Sequence, residues 1–388
     1  MHVVFVSRMP PVACGIAEYS SMLLTELVKL PGLSVIALGG DMIEYPLGYT
    51  YKDVYSGISV KNCFKGGDLS YVDNCLENQD RLDVVHIQHE LGIFPDAIAL
   101  ASFMKNVKSR GVKLVLTMHT VIHALGGENL VGIQRLLTGN SDAVVVHSVI
   151  QEQELLRQGT PPEKIYMIPH GTLINPYLKE PRSRLLEELP LPRDVENKKL
   201  VSVIGFVRSR DKDYIQVIKA VDTLAQRYDV KLVVAGMPRR KDAGDVLLEE
   251  KIEQVARKGG NVYFLEGFLD RALLLKLLAV SDIVTIPIVE QRSYPISVSG
   301  VFHLAIGSRK PVICTRAHKL VECNLLAPEL TLRVFTVEYL VKKLEEVLEE
   351  SEGVKRAINR LWNYALEKRW DVIARKHYEL YRELVPER

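Results

Sequence analysis

Ser299-Gly300 stands between residues 283–286, a short β-branched run closed by Pro287, and residues 311–315, a second such run. Val301, Phe302, Leu304, Ala305 and Ile306 follow as an apolar helical segment, and Ser299 suits its N-cap. The start of such a helix presents free backbone N–H groups and the positive end of a dipole, which together suit a phosphate. Arg208, Arg210 and Lys212 lie after another strand-like run and before another helix, where cations can grip a diphosphate. Asp211 and Asp213 are interleaved with them, so a solvated, salt-paired turn is the plainer reading of those residues taken alone. An ordinary capped helix between two strands is likewise the plainer reading of Ser299 alone.

A second group of chemically capable residues lies in the first half. His89 with Glu90, His119, His147 with Ser148, and His170 with Gly171 each stand where a strand-like run ends. Lone histidines are more often structural hydrogen-bonders than reactive groups, and that is the reading given to His147. Gly15, at the start of a helical segment, lets backbone N–H groups approach a ligand. Glu290, before the Ser299 helix, and Glu322, after the strand at 311–315, are carboxylates that could accept two hydrogen bonds from a vicinal diol.

The elements around these residues alternate. Strand-like runs at 2–6, 35–38, 84–88, 114–118, 143–146 and 165–168 are separated by helical segments, and the pattern restarts near residue 199 with runs at 232–235, 262–264, 283–286 and 311–315. That alternation predicts α/β architecture with parallel sheets, in which ligands bind outside the carboxyl ends of the strands. Two doubly wound, Rossmann-like domains are expected: 1–175, and 176–367 after a proline- and charge-rich connection. The segment 368–388 reads as an aromatic-faced helix, which the family resemblance carried by the motifs below assigns to the first domain.

Composition limits the function. The chain has 388 residues, 47% hydrophobic and 25% charged, enough for two domains. A formal net charge of +2 lacks the basic excess of a dedicated nucleic-acid binder. No stretch approaches a membrane span, and the opening residues run straight into a strand with no cleavable signal pattern, so a cytoplasmic protein is expected, with peripheral membrane contact left open. Cys14, Cys63, Cys75, Cys314 and Cys323 are odd in number and form no close pair, so free thiols are expected. No dinucleotide fingerprint occurs in either half, which disfavours a nicotinamide oxidoreductase.

Several motifs resemble the retaining nucleotide-sugar glycosyltransferases of the GT-B fold, in the large group-one family, family 4. Asp282, Pro287, Ser299-Gly300, Ala305, Gly307 and Lys310-Pro311-Val312-Ile313 fill that family's donor-site run. Pro11, Cys14, Gly15, Ile16, Ala17, Tyr19, Leu23 and Leu27 resemble one branch's opening signature, and Gly205, Lys212 and Ala220 its phosphate loop. The resemblance implies two domains facing a cleft and transfer of a sugar from a GDP- or UDP-linked donor to a hydroxyl, with retained configuration and no metal or other cofactor. It implies that His119 contacts the donor sugar, that Gly15, Arg208, Lys212, Ser299 and Gly300 serve the phosphates, and that Gly267 lies against the nucleoside. His89 and Glu90 fall on the acceptor side. One departure stands out: the family's pair of glutamates, separated by seven residues, is broken, because Glu290 plus eight is Val298 and the helix positions expected for the second are His303 and Leu304. Glu290 and Glu322 remain as candidate ribose ligands. Rival readings are another GT-B class, such as a nucleotide-sugar epimerase, and a non-catalytic nucleotide-sugar-binding relative.

Overall fold

A computed structural model describes the chain except for residues 43, 78–80, 239–241, 290–294 and 387–388. The strands in chain order are β1 His2–Val6, β2 Ser34–Gly40, β3 Thr50–Lys52, β4 Ser59–Phe64, β5 Val84–His89, β6 Lys113–Met118, β7 Thr120–Ile122, β8 Ala143–Val146, β9 Ile165–Met167, β10 Lys199–Ile204, β11 Val230–Gly236, β12 Val262–Glu266, β13 Ile283–Ile286, β14 Pro295–Ser297, β15 Val312–Thr315 and β16 Thr331–Leu332. The chain divides into two units. The first comprises Met1–Gly171, Ser293–Val298 and Lys368–Arg388; the second comprises Thr172–Arg292 and Ser299–Glu367.

In the first unit the strands order as β3-β4-β2-β1-β5-β6-β8-β9. All pairs are parallel except β3 with β4. Val3–Val6, Val84, Val85, Ile87, Leu114–Leu116 and Ala143–Val146 are buried, because a parallel sheet covered on both faces takes near-continuous apolar runs. The helix Gly15–Leu27 packs against the helix Trp370–Leu384, and Tyr378 Oη donates to the carbonyl of Pro31 at 2.9 Å. A small antiparallel pair joins β7 to β14. The second unit orders its strands β12-β11-β10-β13-β15-β16, all parallel.

The strand order reverses between β1 and β5 in one unit and between β10 and β13 in the other. These switch points are where helices diverge to opposite faces and leave a crevice at the strand ends. His89 ends β5 and the loop after β10 carries Lys212, so the chemically capable residues lie where the topology leaves room for a ligand.

One expectation is corrected. The cysteines are not all free thiols: Cys63 pairs with Cys75 and Cys314 with Cys323 as disulfides, while Cys14 is free and buried. Each pair joins a strand to the helix that follows shortly after it, twelve and nine residues on, a proximity created by the chain's return and invisible in the spacing alone.

Candidate functional site

The second unit gathers its cations around one loop. Lys212 Nζ lies 3.1 Å from the carbonyl oxygen of Phe206 and 3.4 Å from that of Ile204. Its backbone is sewn to the β13 exit by a bridge to Ile288, while Asp213 N donates to Pro287 O at 3.0 Å and Val289 N to Asp211 O at 2.9 Å. Asp211 then holds two further cations, Arg208 at 3.2 Å and Lys319 at 3.2 Å. Burial pushes the Lys212 ammonium down to about 8; Asp211 opposes the shift, while Lys319 and Arg208 reinforce it. A bound anion would relieve that burden.

Gly205 fixes the approach. Its φ is +112°, a conformation that L side chains rarely adopt, and a Cβ there would lie 3.1 Å from Lys212 Nζ and 3.4 Å from Val301 Cγ2. The same glycine therefore leaves open a space bordered by both the cation and the first turn of the helix Gly300–Gly307. Ser299 caps that helix, its hydroxyl accepting from Phe302 N at 3.3 Å. Gly300 is its first residue. Lys212 and the helix start thus face one another across a glycine. Gly236 packs still closer: a Cβ there would fall 2.1 Å from the Gly205 carbonyl oxygen. Gly236→Ala is expected to cost about 2–3 kcal/mol of stability, because backbone rather than a mobile side chain must yield. A denaturant midpoint equal to wild type would overturn that reading.

Gly267 follows β12 with φ +113° and donates its N–H to Gly236 O at 3.1 Å, which places it at the strand ends of the same sheet. Glu322 sits in the helix Val321–Leu326, its carboxylate largely buried and 3.7 Å from His303 Nε2, with Oε2 making no hydrogen bond among the described residues. His303 in turn bonds Thr172 Oγ1 through Nδ1 at 3.0 Å. Leu304, at one position where the second glutamate of the usual pair is expected, supplies no carboxylate. Glu290 lies outside the described residues. A cavity lined by Leu186, Leu189, Leu191 and Pro192 holds none of the candidate residues.

In the first unit Tyr19 is the hub of an aromatic cluster. Its ring lies 4.7 Å from His119, 5.2 Å from His147, 5.1 Å from His170 and 4.9 Å from Trp370. His147 and His170 each direct Nδ1 to a backbone carbonyl, of Ile168 and Gly171 respectively. They are structural hydrogen-bonders. Gly171 leaves room for the indole, since a Cβ there would meet the Trp370 ring at 2.2 Å. His119 is the half-buried member, and burial, then His147, His89 and His377, holds it well below the ordinary imidazole range. It is neutral at pH 7.

His89 is buried, with neither ring nitrogen hydrogen-bonded among the described residues, and burial pushes it down to about 4. Glu90 accepts from Thr120 Oγ1 at 2.5 Å. Gly15 opens the first helix, and a Cβ there would meet nothing within 4 Å, so no packing demand explains it. Sequence reasoning passed over Lys319 and Gln88. Lys319 lies beyond β15, far in sequence from its partners. Gln88 could have been noticed as a polar residue at period two inside an apolar strand, beside His86.

Residues 22–172 match the family model described as Glycosyltransferase Family 4. Whole-chain likeness to solved structures is broader. HepE from Anabaena, in complex with UDP-glucose, is 16% identical with a TM-score of 0.73, over 99% of this chain and 100% of its own. Sucrose-phosphate synthase from Thermosynechococcus elongatus is 16% identical with a TM-score of 0.72, over 99% of each chain. A glycosyltransferase from Rickettsia africae ESF-5 is 16% identical with a TM-score of 0.70, over 100% of each. The chain has the GT-B fold of these glycosyltransferases. In the GT-B chain the matched segment, 22–172, includes His89, Glu90 and His119, while the cation loop lies beyond it. No curated protein sequence matches the chain. Among the described residues no helix is long and apolar enough to cross a membrane.

Proposed function

We propose that this GT-B protein transfers a glycosyl group from a nucleoside diphosphate sugar to a hydroxyl with retained configuration. The observation that carries the reading is Gly205, whose missing side chain leaves a space bordered by both the buried Lys212 ammonium and the first turn of the Ser299-capped helix. In the proposed reaction the C1–oxygen bond to the diphosphate breaks and the leaving oxygen keeps the electron pair. Lys212, Arg208 and the N–H groups at Gly300 stabilise that developing charge, the place where stabilisation lowers the barrier. The acceptor oxygen bonds to C1 on the same face, and its proton passes to the departing phosphate. His119, being neutral, accepts a hydrogen bond from a hydroxyl of the transferred sugar, and His89 with Glu90 belongs to the acceptor side. The proposal includes no metal, and turnover in excess chelator is the expected result.

A uridine-linked donor is favoured over a guanosine-linked one because HepE, alike across the whole chain, holds UDP-glucose. Glu322 is the proposed ribose ligand, since its unbonded, largely buried oxygen suits one hydroxyl of a diol. The test is a thermal-shift series. A nucleoside diphosphate at ~100 times its dissociation constant should stabilise by about 2.7 kcal/mol. The 2′,3′-dideoxy analogue should bind roughly 10- to 100-fold more weakly, and Glu322→Gln should narrow that gap. Equal binding of both nucleotides by the wild-type protein excludes a ribose-holding carboxylate. Recovery of a free nucleotide sugar with altered stereochemistry, in the absence of acceptor, would instead identify an epimerase.

A further inference from the structure

Behind His119 runs a buried chain of polar groups, and the orientation of one amide in it, that of Gln88, sets the donors and acceptors of the rest. Gln88 Oε1 lies 2.8 Å from His119 Nε2, and Gln88 Nε2 lies 3.0 Å from His86 Nε2. His86 Nε2 also meets Thr117 Oγ1 at 2.7 Å, and His86 Nδ1 meets Tyr381 Oη at 2.6 Å. His86, Gln88, Thr117 and Tyr381 are fully buried, and all belong to the first unit: two on β5, one on β6 and one on the helix Trp370–Leu384. The strand register explains the alignment. His86 pairs with Val115 and Gln88 with Thr117, so period-two alternation puts His86, Gln88, Thr117 and His119 on one face.

The pattern then follows from what each atom can do. An amide nitrogen only donates, so His86 Nε2 must accept from it, and the His86 proton sits on Nδ1 and points to Tyr381 Oη. An amide oxygen only accepts, so His119 Nε2 must carry a proton. Since His119 is neutral, its Nδ1 is a bare acceptor, and no described residue bonds that atom. We propose that Gln88, oriented by His86, Thr117 and Tyr381, is a positioning residue that fixes His119 as the Nε2–H tautomer and so makes Nδ1 the acceptor for a hydroxyl of the transferred sugar. The last clause rests on the glycosyltransferase reading; the tautomer does not.

The aqueous preference of imidazole does not produce this pair, because two similar neutral rings are held with their protons on opposite nitrogens. The test is therefore a long-range ¹H–¹⁵N correlation spectrum of histidine-labelled full-length protein, with His86 and His119 assigned from His86→Phe and His119→Phe. The expected result is His86 protonated on Nδ1 and His119 on Nε2. The reverse pair overturns the proposal, because the amide must then point the other way and His119 offers a donor. Gln88→Glu supplies the discriminating variant: it keeps the shape but puts an acceptor against His86, so His86 should move its proton to Nε2. Unchanged His86 signals in a folded Gln88→Glu protein would overturn the relay. Gln88→Leu should reduce turnover about tenfold and leave the dissociation constant for a bare nucleoside diphosphate within twofold. A protein with the expected tautomers that turns over no nucleotide sugar would overturn the sugar contact and leave the tautomer assignment standing.

Discussion

Lys212→Met is expected to weaken nucleoside diphosphate binding about 10- to 150-fold at pH 7, equivalent to about 1.5–3 kcal/mol for a lost charge-assisted hydrogen bond. The fold should not suffer, because Phe206 O also accepts from Tyr214 Oη at 3.0 Å and is not left unpaired. Methionine keeps the apolar stem and removes a charge that burial disfavours. The variant should therefore be at least as stable as wild type at neutral pH while binding worse, the signature of a group kept for function at a cost to the fold.

The pH dependence supplies the sign. The Lys212 ammonium is lowered from 10.5 to about 8 in the folded protein, so between those values the unfolded chain holds one more proton. Stability then rises with pH across that window, and below about pH 8 the buried ammonium is a burden that the folded state carries in full. Binding runs the other way. A diphosphate favours the ammonium, so affinity should decline as pH rises above about 8, with a proton taken up on binding at about pH 8–9. Calorimetry in buffers of differing ionisation enthalpy measures that uptake. Lys212→Met should show neither the decline nor the uptake; proton uptake persisting in the variant would move the effect to Arg208 or Lys319.

The parts of this site that were legible in the sequence are those written in local patterns. β13, the Ser299 cap, the helix Gly300–Gly307 and β15 follow from β-branched runs, a capping serine and an apolar stretch, all close together in the chain. The elements missed are short or long-range. β7 and β14 are three residues each and pair across a wide gap in the chain, so neither leaves a periodic trace. β3 is three residues long and pairs antiparallel at an edge, against the pattern of the sheet it joins. The aromatic cluster was hidden for a different reason: Tyr19 and Trp370 are apolar-face residues of two helices at opposite ends of the chain. The histidines at the strand ends could be read as a group because the parallel-sheet rule brings strand ends together. Their separate roles could not, because whether a ring nitrogen meets a carbonyl, as in His147, or an amide, as in His119, depends on the register of neighbouring strands.

His119 offers the sharper test of the chemistry. His119→Ala is expected to lower turnover of a nucleotide sugar by roughly 10²-fold, the scale seen when one aligned partner in a reacting site is removed. Affinity for the bare nucleoside diphosphate should change less than about twofold, because the lost partner is a sugar hydroxyl. Alanine also removes a ring that packs 4.7 Å from Tyr19 and 5.2 Å from His147, so some stability will be lost with it. His119→Phe separates the two effects: it keeps a ring against Tyr19 and removes both nitrogens. Turnover should remain low in His119→Phe while the unfolding midpoint recovers much of the loss. The pH profile adds a constraint, since an imidazole held well below its ordinary range stays neutral from mildly acidic pH upwards and cannot serve as a general acid there. Turnover limited by His119 protonation should consequently fall only on the acid side, and His119→Phe should erase that limb. Equal losses of turnover and nucleotide affinity would place the ring in the nucleotide pocket, and full turnover in His119→Phe would reduce it to packing.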